Sequence, residues 1–188
     1  MLFRSARRPV IPDYRSVIGA GRGKRRGLSS GTCATAATKG AALALLSGRI
    51  PGRVSVRLPP SKRPYAGKIV GIPLASAELS GEGARAVVIK DAGDDVDATN
   101  GLAIGASVTV ARLADDAPAP VIILGGAGVG VVERPGLPVA VGQAAINPVP
   151  RAMIESELGA LVLKARASGR LGPAEGLVAT IDVPEGEA

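Results

Sequence analysis

Small and apolar residues run almost unbroken through residues 32–47, TCATAATKGAALALLS. The Ser-Ser-Gly-Thr lead-in supplies a capping hydroxyl and Gly48 a left-handed stop, so the pattern predicts a helix there. Downstream the period changes from helical to two. Residues 53–58 (RVSVRL) and 106–113 (ASVTVARL) alternate, 85–90 (RAVVIK) is rich in β-branched residues, and 121–124 is a short apolar run. Each predicts a strand. Turn-forming stretches at 59–64 and 115–120 separate them. A second helix is predicted from Pro148 or Pro150 to about Ala167, capped by Asn147, with proline tolerated in its first turn and Gly159 weakening its middle. Residues 177–183, LVATIDV, read as a last strand. A helix followed by several strands with no helices between them implies an α+β fold: a mixed or largely antiparallel sheet with helices packed on it, one layer of each.

Composition sharpens this picture. The apolar share is 46%, with no Trp, two Tyr and one Phe, so the core is aliphatic and stacking chemistry is poorly supplied. One cysteine cannot form an internal disulfide, and no secretory apolar region follows Met1. Both features predict a reducing, cytoplasmic setting. No apolar run approaches the ~20 residues of a membrane helix, so no membrane partner is expected. The net charge of +7 lies entirely in residues 1–26, which hold eight Lys or Arg against Asp13. Residues after Arg26 balance, fifteen against fifteen. Without a repeated aromatic platform this segment is read as a solvated basic arm, not a nucleic-acid site. Residues 27–188 are then read as one domain.

Absent residues remove whole reaction classes. With no His and one Cys, a zinc centre, a Ser-His-Asp triad and a Cys-His pair are all out of reach. The phosphate-loop pattern ending in Gly-Lys-Ser/Thr is missing too. The run VIILGGAGVG places Gly126, Gly128 and Gly130 after a buried strand, where bare amides can approach an anion or cofactor or simply make a tight turn. RGLSSGT, with Arg26, Ser30, Gly31 and Thr32, leads into the first helix, whose free amides suit a carboxylate or phosphate as well as a plain cap. Cys33 in that first turn is open to a lowered pKa or to a place in the core. Residues 90–101, KDAGDDVDATNG, crowd Asp91, Asp94, Asp95 and Asp97 ahead of Thr99, Asn100 and Gly101. Carboxylates so close repel one another unless a metal, a cation or a shared proton lies among them. A calcium loop would need an oxygen ligand at position 93, which is Gly, and no metal is predicted.

Taken in order, RRGLSSGTCATAATKGAALALLSG, KDAGDDVDATNG and GGAGVGVVERPGLPVAVGQAAINPVPRAMI resemble the cobalt-precorrin-5B C1-methyltransferases of anaerobic cobalamin biosynthesis. The resemblance runs from Arg25 to about Val183. It implies methyl transfer from S-adenosyl-L-methionine to ring carbon C1 of a cobalt-corrinoid substrate. It also implies Asp91, Asp94 and Asp95 as catalytic residues. As substrate- or cofactor-binding residues it implies Arg26, Ser30, Gly31, Thr32, Thr99, Asn100, Gly126, Gly128, Gly130, Asn147 and Arg151. Ser29 and Ser30 stand where the family usually has Thr, Val96 where Pro is common, and Gln143 where Glu is common. Family members are about twice as long, so a second chain supplying the other half, or a homo-oligomer, is an expected partner. The alternative is a truncated, non-catalytic corrinoid-binding domain or one half of a split enzyme.

Overall fold

The computed structural model describes residues 10–19, 25–114, 119–136 and 138–186. Among them the elements run α1 (Tyr14–Ile18), α2 (Ser30–Ser47), β1 (Arg53–Arg57), β2 (Ile69–Pro73), β3 (Ser76–Ser80) and β4 (Gly83–Ile89). They continue with β5 (Ala103–Arg112), β6 (Val121–Gly125), α3 (Pro148–Ala167) and β7 (Glu175–Asp182).

The small-residue run folds as α2 and becomes the central core helix. The Ser29 hydroxyl accepts the Thr32 amide at 3.2 Å. At the other end Gly48, with φ 67°, takes the left-handed stop and donates its amide to the Ala44 carbonyl. Cys33, Ala36, Ala37, Ala41, Ala42 and Ala44 are fully buried. A helix apolar around its circumference is a core helix, and small side chains let neighbouring elements come close. Gly40 shows how close: a Cβ there would lie 2.6 Å from Leu74 Cδ1 and 3.3 Å from Ala86 Cβ.

A five-stranded sheet in the order β3-β4-β5-β7-β6 lies against α2 and α3. Its pairs are antiparallel except β6 with β7, which is parallel. A parallel pair needs a crossover, and α3 runs within it. One βαβ unit is therefore embedded in an otherwise antiparallel α+β fold. Strand alternation directs Ala84, Ala86 and Val88, Ile104 and Val108, and Leu177 and Ile181 into the core. From α3 come Ile154, Leu158, Val162 and Ala165, three to four residues apart on one face. The β1–β2 ribbon forms a separate antiparallel pair whose Val54, Val56, Val70 and Ile72 are buried in the same core.

Three elements went unpredicted, each for a local reason. Strand β2, IVGIP, is short and ends on proline. Strand β3, SAELS, is an exposed edge with little apolar signal. Helix α1 has five residues and sits in the segment read as a solvated arm. Part of that segment belongs to the body: Tyr14 and Ile18 are each 3% exposed, and the Gly71 amide donates to the Pro12 carbonyl at 2.8 Å. Residues 1–9 and 20–24 lie outside the described residues.

Candidate functional site

The acidic stretch begins where β4 ends, and its own chain supplies the cations that the crowding demanded. Arg25, in the lead-in to α2, donates its Nη1 to Asp91 Oδ2 at 2.8 Å and its backbone amide to Asp94 Oδ2 at 2.6 Å. Tyr14 donates its hydroxyl to Asp91 Oδ2 at 2.9 Å, and the Gly93 amide donates to Oδ1 at 3.0 Å. Asp97 is held by the ammonium of Lys90 and by the amide and hydroxyl of Thr99, at 2.8 and 2.6 Å. Asp95 is exposed and has no hydrogen-bond or ion-pair partner among the described residues. Among those residues no three His, Cys, Asp or Glu side chains are grouped to hold a metal ion.

Backbone contacts fix the turn against the lead-in. The Leu28 amide donates to the Asp91 carbonyl at 2.7 Å, and the Asp94 amide to the Arg25 carbonyl at 2.8 Å. A Cβ on Gly27 would sit 2.1 Å from the Asp91 carbonyl oxygen, so only glycine permits this approach. Asn100 closes the turn by accepting the Ala92 amide on its Oδ1 at 2.9 Å.

These partners set the electrostatics. The Arg25 guanidinium beside Asp91, with the Gly93 amide and Tyr14 hydroxyl, holds its carboxyl down to about 2. Lys90 and Thr99 hold Asp97 down to about 2 as well. Both stay anionic at neutral pH, so they act as fixed charges and not as proton carriers. Burial, followed by the neighbouring Asp91, pushes the Tyr14 phenol up to about 12. Burial likewise pushes the Cys33 thiol up to about 12, so of its two readings the core residue prevails.

Thr99 links the turn to a cleft. Its hydroxyl lies 3.0 Å from that of Ser30, in the first turn of α2. Ser30 and Gly31 line a cleft of about 200 Å³ together with Val129 from the glycine loop, Asn147 and Pro150 from the start of α3, and Val183 after β7. The N-termini of both long helices and the carboxyl ends of the parallel strands β6 and β7 thus meet at one place, the position where open sheets hold ligands. Asn147 makes no capping hydrogen bond, so its side chain is available to the cleft. A Cβ on Gly31 would lie 2.5 Å from Pro150 Cγ, so this glycine is required by the abutting helices. A second hollow, of about 350 Å³, opens on the other flank of the turn between Tyr14, Arg15, Arg25, Leu74, Ile89 and Asp91.

The remaining predicted residues divide. Gly126 donates its amide to the Ile181 carbonyl at 2.7 Å. Gly128, with φ 69°, lies so close to β7 that a Cβ would come 1.8 Å from the Val183 carbonyl oxygen. Both glycines accommodate the chain itself. Gly130 faces nothing nearer than Ala145 Cβ at 4.0 Å. Thr32 is 2% exposed, its amide and hydroxyl both directed at Ser29. Arg151 is turned inward to the carbonyls of Ile146 and Ala144, at 3.0 and 3.2 Å, and braces the loop that carries Asn147. Arg26 lies 6.0 Å from the Tyr65 ring centroid, outside both hollows.

Lys90 is the participant that pattern reading missed. Its side chain is wholly buried, with Nζ 2.7 Å from Thr99 Oγ1. A signal existed: Lys90 follows Ala84, Ala86 and Val88 at period two, so it continues the core-facing parity of β4. A charge on that parity must find a buried partner.

A family model described as CbiD matches residues 18–188. The chain is 44% identical over 163 residues to the cobalt-precorrin-5B C(1)-methyltransferase of Geobacillus kaustophilus, covering 87% of this chain and 39% of that protein. It is 40% identical over 167 residues to the protein of the same name from Polaromonas naphthalenivorans, covering 89% and 42%. To the one from Agrobacterium fabrum it is 46% identical over 138 residues, covering 73% and 34%. The chain therefore spans about two-fifths of the length of these curated relatives. No solved structure matches it.

Proposed function

Since the chain belongs to the CbiD family, we propose that it forms part of an enzyme moving a methyl group from S-adenosyl-L-methionine to C1 of cobalt-precorrin-5B. The carrying observation is the match to methyltransferases of that name at 40–46% identity over most of this chain. In such a transfer the ring carbon supplies the electron pair, the carbon–sulfur bond of the sulfonium breaks, and S-adenosylhomocysteine leaves. Alignment of the two reactants matters more than a protein nucleophile, which suits a chain with no His and one deeply buried Cys.

The cleft bounds what this chain contributes. Pockets that enclose a drug-sized ligand run to ~300–1,000 Å³. At about 200 Å³ the Ser30–Asn147 cleft fits one arm of a corrinoid, not the macrocycle. A carboxylate arm suits it, because two helix N-termini, the Ser30 hydroxyl and the Asn147 amide group all favour an anion there. Asp91 and Asp97 stay charged to hold Arg25 and Lys90 in place, which fixes Thr99 against Ser30. Of the three carboxylates assigned a catalytic role, the exposed Asp95 has no partner among the described residues and can face a cationic donor. Asp94 is held by the Arg25 amide and lies 3.8 Å from its Nε, and Asp91 positions Arg25.

The test is a chimera in which this chain replaces the matched 163 residues of the Geobacillus kaustophilus relative, assayed by mass spectrometry with S-adenosyl-L-methionine and cobalt-precorrin-5B. The expected product is one methyl group heavier, with Ser30→Ala and Asn147→Ala each raising KM by roughly tenfold, the scale of one lost polar contact to a charged arm. A folded chimera that binds the corrinoid but transfers nothing supports the reading of this region as a corrinoid-binding domain. A folded chimera that binds neither reactant sinks both readings.

A further inference from the structure

The two faces of the five-stranded sheet differ in what covers them. Helices α2 and α3 pack on the core face. Among the described residues, no helix lies on the other. An antiparallel sheet with one solvated face normally alternates apolar inward and polar outward. Here the outward positions of β5, β7 and β6 include Ser107, Thr109, Val178, Thr180, Ile122 and Leu124, none of them charged. Ile122 and Leu124 are 42% and 46% exposed, and Ile89 at the far end of β4 is 51% exposed.

The charges at the centre of this face cancel each other. Arg85 and Asp182 form a bidentate pair, both contacts 2.6 Å, that crosses over Gly105. A Cβ at Gly105 would meet both side chains, at 2.4 and 2.6 Å, so the pair lies flat on the sheet. Asp182 is only 8% exposed although it points away from the helices. Glu78, opposite Arg85 on the edge strand β3, adds one exposed charge at the rim, so the face is level and nearly neutral at its centre with a charged edge.

Size selects the occupant. Five strands ~4.8 Å apart and about six residues long outline roughly 450 Å². A freely associating dimer needs about 800 Å² from each partner. Interfaces between domains of one polypeptide run to ~600–1,500 Å², and the roughly 900 Å² that this face and an equal footprint on its cover would bury together falls in that range. About three-fifths of the Geobacillus kaustophilus relative lies outside the match, so the family possesses a further body to place there. We propose that the outer face of the five-stranded sheet docks the part of the family's polypeptide that these 188 residues do not cover, with Ile122, Leu124 and Ile89 around the Arg85–Asp182 pair as its contact surface. The inference rests on family membership and not on the activity, so a chimera inactive as a methyltransferase still tests it.

Cys33 is fully buried, which leaves a quiet background for labelling introduced thiols. Ile122→Cys and Leu124→Cys are made singly in this chain and in the chimera, with Leu163→Cys on the exposed side of α3 as control. Maleimide labelling at Ile122→Cys and Leu124→Cys is expected to be fast in the chain alone and slower by about tenfold or more in the chimera, as for a solvent-excluded interface core. Leu163→Cys should label at one rate in both. Equal rates at the sheet positions in the two proteins overturn the proposal. So does slow labelling in the chain alone together with sedimentation as a dimer, which assigns the face to a second copy. If the chimera does not fold, carbene footprinting of the intact Geobacillus kaustophilus protein decides: the positions aligned with Ile122 and Leu124 are expected to be unlabelled, and labelling there overturns the proposal.

Discussion

Asp91 joins three elements through one carboxylate. It accepts from Tyr14 of α1 and from Arg25 in the lead-in to α2, while its own backbone follows β4. Its carboxyl sits near 2, against 3.8 for a free aspartate. A group whose pKa is depressed on folding contributes stability that is present above the unfolded value and lost as pH falls through the folded one. Asp91→Asn should therefore cost about 1–2 kcal/mol at pH 7, after allowing for partial solvent screening. The difference from the parent should shrink through the interval from 3.8 down to about 2. Urea midpoints at pH 7 and pH 3 check this; a gap unchanged between them contradicts the assignment. Lys90 invites a different measurement. Lys90→Met keeps the apolar stem but removes the ammonium from Asp97 and Thr99. A loss of about 1–3 kcal/mol is expected, below the usual cost of breaking a buried pair because Asp97 is 37% exposed and rehydrates. In a double-mutant cycle with Asp97→Asn the two losses should fall short of additive by about 1 kcal/mol or more. Additive losses would show that the pair is not coupled. At this scale the sequence displayed the four crowded carboxylates but not what neutralises them, because Arg25 is 66 positions from Asp91 and Tyr14 is 77. Only the strand parity of Lys90 was readable locally.

Elements were legible where one local rule dominated. Helix α2 showed its cap, its stop and its small-residue run, and α3 showed its leading prolines, whereas Asn147, expected as its cap, holds the N-cap position without a side-chain capping hydrogen bond. Strands β2 and β3 were not legible, because an edge strand such as SAELS owes its conformation to pairing with β4 and not to its own residues. The glycine loop after β6 was ambiguous for a related reason: bare amides near a ligand and bare amides near another strand leave the same letters. Substitution separates them. At Gly128 an added methyl meets both a left-handed φ and the Val183 carbonyl, so Gly128→Ala should cost about 3 kcal/mol or more or prevent folding. Gly130→Ala meets open space and should change stability by no more than about 0.5 kcal/mol. Thermal denaturation of the pair is sufficient. A mild Gly128→Ala would mean that β7 does not pack on this loop, and the cleft lined by Val129 and Val183 would lose one wall.

At the scale of the whole molecule, the pairing of β5 with β7 was not readable from the sequence. Register between strands some seventy positions apart is set by a hydrophobic pattern shared across the sheet, which a single strand does not reveal. Helix α2 is what makes the two sheets one body, since β1 packs on one part of it and β4 and β5 on another. That arrangement predicts a single cooperative unfolding transition. Val56, in the ribbon, and Ile154, on α3, are both completely buried in the common core. Val56→Ala should cost about 1–3 kcal/mol and Ile154→Ala about 2–5 kcal/mol. In both variants loss of helix by circular dichroism and the change in tyrosine emission should share one midpoint; with no Trp present, Tyr14 and Tyr65 are the only emitters. Two separated transitions in Val56→Ala, with the ribbon melting first, would show that the β1–β2 ribbon is a satellite. The hollow beside Asp91, walled by Ile72 and Pro73 of β2, would then open independently of the Ser30–Asn147 cleft, and the turn between them would no longer couple the two.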